Sequence, residues 1–177
     1  MLQYETKRLL LKTEFETSWC KILDFYEKNK QYFEPYEPTR CKDFYTPSYQ
    51  LKVLSVESQL TKSHSYLRLW LYLKEDPKTI IGTICFSDIF RQSSLLGYKM
   101  DEAYTKHGYC YEACEKGLSI MKTDYHLNKV VASVLPHNLP SIHLLERLNF
   151  TNRGEQKDLI EINHTMEKVL LYEKYLT

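Results

Sequence analysis

The feature that most limits how this chain can fold is a change of hydrophobic period near residue 108. In SYLRLWLYLKE (65–75), Leu67, Leu69, Leu71 and Leu73 fall on one side, and Tyr66, Trp70 and Tyr72 on the other. TIIGTICFSDIF (79–90) follows the turn at DPK, and LLGYKM (95–100) follows the turn at RQSS. Three short runs joined by tight turns form an antiparallel meander. From Gly108 to about His126 the apolar residues recur every three to four positions, which is a helix, and KVVASVLP (129–136) is a β-branched strand ended by its proline.

The flanks complete the plan. YETKRLLLK (4–12) reads as a first strand, and residues 18–29 as a helix capped by Thr17 or Ser18. The proline- and aromatic-rich stretch 30–45 reads as a loop, and Thr46-Pro47 starts a helix that runs toward Lys62. Ser141 to Leu148 is a further helix with Asn149 as a left-handed cap residue, and 158–176 is a closing hairpin that turns near Asn163. Meander, helix, strand, helix and hairpin together predict an α+β domain on one mixed, twisted, mostly antiparallel sheet.

Composition excludes several classes. With 177 residues the chain suits a single domain over 1–177, without internal repeat or low-complexity linker. A net charge of +1 gives no global case for nucleic-acid binding. No apolar run approaches the length of a membrane span. The five cysteines, Cys20, Cys41, Cys85, Cys110 and Cys114, show no paired spacing, and no secretory signal precedes them. They read as reduced thiols of a cytoplasmic protein.

The stretch TKHGYCYEAC (105–114) sits at the change of period. Read as an anion site, it offers the free N–H groups of a helix's first turn, with Lys106 adding charge and Gly108 allowing close approach. Read as a zinc site, His107, Cys110 and Cys114 share a helical face, but no second Cys or His cluster supplies the missing ligands, and no metal is expected. Read plainly, it is a helix start with two small thiols.

The order strand, Gly-containing turn, helix, strand, then N-x-x-S and LLERLNF resembles the acetyl-CoA-binding core of the GNAT N-acetyltransferases. TKRLLLK (6–12), KNKQYFEPYEPTR (28–40), IIGTICFSDIFRQS (80–93) and GYKM (97–100) are similar to segments of the RimJ/RimL type, the ribosomal-protein-alanine N-acetyltransferases. The resemblance implies about seven strands, about four helices, and fourth and fifth strands that splay apart to admit the pantetheine arm. It also implies that acetyl-CoA is held by Tyr98, Lys99, Met100, Lys106, His107, Gly108, Tyr109, Cys110, Asn138 and Ser141. Two positions depart from the family's Q/R-x-x-G-x-G/A loop: Thr105 replaces the Gln or Arg, and Cys110 the final small residue.

The chemistry implied is amide formation from a thioester. Backbone N–H groups of Tyr98 to Met100 would polarise the thioester oxygen. A tyrosine seven residues after the motif Asn is the acid in many members, but here that position is Leu145. Members of this type carry a Ser three residues after the Asn, so the implied acid is Ser141, which could also cap the helix after Pro140. The base stays open: the position of a strand Glu in relatives is Ser133, while Asp88 or Glu112 could act through a water. Asp88 could also orient the amine. Tyr32, Phe33 and Tyr36 would wall the acceptor pocket, and Glu34 and Glu37 suit a cationic amine. His107, His137 and His143 read as surface or capping residues. The implied acceptor is a protein N-terminus, with a small amine as the alternative; a catalytically idle acyl-CoA-binding regulator is the reading from another class, and in each case a monomer or homodimer is expected.

Overall fold

The computed structural model describes residues 1–162 and 164–176, the side chain of Asp158 excepted; Asn163, the expected hairpin turn, lies outside the described residues. Eight strands form one sheet in the order β1-β2-β3-β4-β5-β6-β8-β7. They are β1 Gln3–Glu5, β2 Leu9–Lys12, β3 Leu67–Leu73, β4 Gly82–Phe90, β5 Ser93–Met100, β6 Lys129–Val134, β7 Thr151–Ile162 and β8 Thr165–Tyr175. The helices are α1 Trp19–Lys28, α2 Lys30–Phe33, α3 Pro47–Lys62, α4 Tyr109–Thr123 and α5 Leu139–Arg147.

The leucine alternation of β3 is realised on two buried faces. Leu67, Leu69, Leu71 and Leu73 join the core that contains Ala113, Cys114 and Leu118 of α4. Trp70 and Tyr72 face the other way, into a second core with Ile22, Phe25 and Tyr26 of α1 and Leu54 of α3. Two packed faces make β3 an interior strand. Gly117 lets α4 lie close on the sheet: a Cβ there would stand 2.7 Å from Ile84 Cδ1 and 2.8 Å from the Phe86 ring. Thr46 and Pro47 start α3 as read from the sequence, with Thr46 Oγ1 accepting the Tyr49 N–H at 3.3 Å.

Several local expectations are corrected. The first strand is broken at Thr6–Arg8 into β1 and β2, which pair with each other, so the sheet counts eight strands among the described residues. The stretch 30–45 is not all loop, since Lys30–Phe33 form the single turn α2 and Glu34–Tyr36 a 3-10 turn. Ser18 holds the N-cap position of α1 without capping it; its hydroxyl donates to Glu14 instead. Helix α5 starts at Leu139, two residues before Ser141.

The splay is visible in the register. β5 and β6 pair in parallel only from Ser93↔Lys129 to Leu95↔Val131. Beyond that point β5 stays paired with β4 through Met100, and β6 with β8 through Val134. Leu96–Met100 and Ala132–Val134 therefore diverge and open a wedge in the sheet.

Candidate active site

At the mouth of the wedge the chain turns from β5 into α4. Asp101 starts this turn: its Oδ1 accepts the Ala103 N–H at 3.0 Å, and its Oδ2 accepts from Lys28 Nζ at 2.6 Å. Lys106 and Gly108 then take left-handed backbone, at φ 63° and 78°. Gly108 is the N-cap of α4, and no side chain caps that end. The first-turn N–H groups are thus left for a ligand at the positive end of a fifteen-residue helix. A Cβ on Gly108 would only approach Arg8 Nη2 to 3.5 Å, an ordinary contact. The backbone angle, more than space, is why glycine is needed.

The wedge is a cleft of about 580 Å³. Tyr98, Met100, Lys106, Gly108, Tyr109 and Cys110 line one wall, and Asn138, Ser141, Leu144 and Arg147 the other. Alternate backbone groups of Leu96–Met100, which β4 does not take, point into the gap left by β6. Uncapped helix donors, a wedge with apolar side chains and unpaired strand groups fit a coenzyme with a pyrophosphate and an amide-bearing arm.

Ser141 lies on the α5 wall. Asn138 is the N-cap of α5, its Oδ1 accepting the Ser141 N–H at 3.3 Å. The expectation that Ser141 caps this helix is therefore corrected, and its hydroxyl is not spent on a cap. Tyr98 Oη donates to the Ser141 carbonyl at 3.3 Å, fastening β5 to α5 across the wedge. Burial pushes the Tyr98 phenol well above its ordinary range, so it stays protonated as a donor.

The deep end of the cleft is aromatic and charged. Tyr32, Phe33 and Tyr36 line the same cleft as Tyr98 and Ser141, together with Glu37 and Lys99. Glu37 accepts from Lys99 Nζ through one oxygen and from Arg40 Nη2 through the other, with its side chain 12% exposed. Burial lowers the Lys99 pKa, and the Glu37 charge partly offsets this. The Tyr36 and His137 rings lie 6.0 Å apart, bringing the 3-10 turn beside the β6–α5 loop. The charge network on Glu37 is the feature that sequence reasoning reached least; its only signal was an acid between two prolines in an aromatic loop.

Three expected site residues lie elsewhere. Asp88 sits at φ 51° where the β4–β5 register slips between Ser87 and Phe90, at the closed end of the wedge, and does not line the cleft. Glu112 has both carboxylate oxygens engaged by Thr6 and Arg8, at 2.6 to 2.8 Å. It is a structural clasp and no base. The His107 ring is bound to the Thr105 carbonyl at 2.7 Å and stacked on Tyr109, and is not part of the cleft lining. Among the described residues no three His, Cys, Asp or Glu come together as a metal ligand set.

A splayed sheet, an uncapped helix N-terminus beside it and a hydroxyl across the gap define an acyl-coenzyme A-dependent transferase. Residues 17–151 match the acetyltransferase (GNAT) domain model, and the chain belongs to that family. It is an acetyl-CoA-dependent N-acetyltransferase. It is 29% identical over 161 residues to the [ribosomal protein uS5]-alanine N-acetyltransferase of Escherichia coli, covering 89% of this chain and 82% of the relative. The crystal structure of ribosomal-protein-S5-alanine acetyltransferase from Vibrio fischeri superposes with a TM-score of 0.92 at 25% identity, over 99% of this chain and 97% of that one. Mycobacterium smegmatis RimJ, solved with CoA-disulfide, has the same fold at TM-score 0.87 and 19% identity, covering 94% of this chain and 81% of that one.

Proposed function

We propose that this protein acetylates the N-terminal α-amino group of a polypeptide, with an N-terminal alanine as the first acceptor to try. The observation that carries the reading is the deep end of the cleft. There a partly buried carboxylate, Glu37, stands among Tyr32, Phe33 and Tyr36 beside the unpaired stretch of β5. The names of the Escherichia coli and Vibrio fischeri proteins point the same way.

The division of labour proposed here draws on that geometry. Acetyl-CoA supplies the acetyl group as a thioester. Backbone N–H groups of the unpaired β5 stretch hold its carbonyl oxygen. Glu37, which accepts from Lys99 and Arg40, anchors the incoming amine rather than taking its proton. An α-amino group of pKa about 7.7 to 8.0 is partly neutral near pH 7, so water suffices to carry that proton away. The Ser141 hydroxyl gives a proton on the sulfur side and regains one from solvent.

The test is acetyl transfer to a panel of alanine-first peptides, the same peptides blocked at the N-terminus but bearing a lysine, and small polyamines. Acetyl found at the α-amine alone supports the proposal. Equal turnover of blocked peptides or polyamines would overturn it.

A further inference from the structure

Gly97 stands where the cleft meets an open face of the sheet. On β5, Leu95, Gly97 and Lys99 share the face that β4 continues with Ser87, Cys85 and Thr83. A Cβ at Gly97 would lie 3.0 Å from Cys85 Sγ, so the thiol packs against the bare glycine between Lys99 and Leu95. On this side α1 and α3 pack over Trp70 and Tyr72 of β3, while Leu95, Val131 and Leu171, from β5, β6 and β8, are half-buried.

A groove of about 910 Å³ runs over that face, lined by Leu95, Val131, Ser133, Leu171 and Gln156, and reaching Asp88. Ser133 lines both this groove and the cleft, so the two adjoin at that residue. Its hydroxyl donates to Gln156 Oε1 at 3.2 Å, which gives the groove a polar edge over an apolar floor. Asp88 is exposed and accepts only from Ser87 Oγ, at 3.3 Å, with no cationic partner among the described residues.

We propose that this groove seats the first residues of the acceptor polypeptide, extended behind its reacting amine, and that Asp88 meets a cationic side chain on it. The proposal rests on the N-terminal reading above and adds the surface that recognises the rest of the chain. From the level of Lys99 to Leu95 is four strand steps, or about 13 Å, with Asp88 a step or more beyond. An extended acceptor spans that distance with about five residues, so its fifth residue stands at the level of Leu95, from which a long cationic side chain extends to the Asp88 carboxylate. A groove with a side-chain floor reads side chains rather than main chain.

The experiment compares kcat/KM for alaninamide with that for alanine-first octapeptides carrying Lys or Glu at the fifth position. The octapeptides should exceed alaninamide by about tenfold or more, and Lys should exceed Glu by several-fold. Val131→Arg should raise the octapeptide KM and leave alaninamide kinetics as they were; Asp88→Asn should erase the difference between Lys and Glu. Gln156→Arg, at a half-buried position, repeats the blockade should Val131→Arg fold poorly. Equal turnover of alaninamide and octapeptide, or unchanged octapeptide kinetics in folded groove variants, overturns the proposal while leaving N-terminal acetylation intact. Failure of every α-amine acceptor overturns the underlying reading instead. If the variants convert a dimer into monomers with peptide kinetics unchanged, the face is a self-interface and the proposal is wrong.

Discussion

Glu112 and Arg8 hold the first turn of α4 to the start of the sheet. The carboxylate accepts the Arg8 backbone N–H at 2.8 Å and its Nε–H at 2.7 Å, while Arg8 Nη1 donates to the His107 carbonyl at 2.9 Å. The Arg8 guanidinium also lies over the Tyr109 ring, 4.5 Å from its centre. The turn that presents the helix N–H groups is thus positioned from a strand about a hundred residues earlier.

Burial pushes the Glu112 carboxyl up, but hydrogen bonds from Thr6 and from the Arg8 backbone and guanidinium outweigh this and hold it below its ordinary value of 4.5. A depressed folded pKa contributes stability that is present above the unfolded value and lost as pH falls through the folded one. Wild type should therefore lose part of its stability below about pH 4.5 that Glu112→Gln lacks at every pH. Thermal melts from pH 7 to pH 3 check this: the gap in Tm between the two proteins should narrow as pH falls. A constant gap would mean that the carboxylate charge is not what the clasp uses.

Gly108→Val should abolish the thermal shift produced by CoA, because a β-branched residue resists a φ of 78°. Gly108→Asn should retain much of it, since Asn tolerates left-handed backbone. Equal loss in both variants would show that contact space, and not the backbone angle, decides this position.

Ser141→Ala should lower kcat by about 10²- to 10⁴-fold with the acetyl-CoA Kd near wild type, the usual worth of general acid catalysis. Its Tm should change little, because the cap belongs to its neighbour. Asn138→Ala should instead cost about 0.5 to 2 kcal/mol of stability. A stable Ser141→Ala with normal kcat would leave water as the proton donor.

Glu37→Gln should raise the acceptor KM while the acetyl-CoA KM stays unchanged, since Glu37 lines the cleft among Tyr32, Phe33 and Tyr36 and its carboxylate is the group proposed to hold the amine. Tyr36→Ala should act in the same direction through lost wall contacts. Steady-state kinetics with each substrate varied separately distinguishes this from loop collapse, which would raise both constants.

Much of the fold was legible because it rests on short-range rules. The leucines of β3, the helical period of α4, the Thr46-Pro47 start and the left-handed Asn149 are set by neighbours two to four residues apart or by one residue's own backbone preference. The aromatic wall of Tyr32, Phe33 and Tyr36 and the place of Ser141 beside the wedge followed from motif order along the chain.

The sequence by itself thus determined most of the elements and their order. The tertiary structure alone decided which charged groups meet. Glu112 is taken by residues 104 and 106 positions away, and Glu37 by Lys99 at a separation of 62. Asp88 falls at the closed end of the wedge because β5 and β6 stop pairing at Leu95↔Val131, with the opening on the other side of that pair. Such partnerships depend on sheet register and on how helices settle over two buried faces, and neither is encoded in the spacing of residues around the groups concerned.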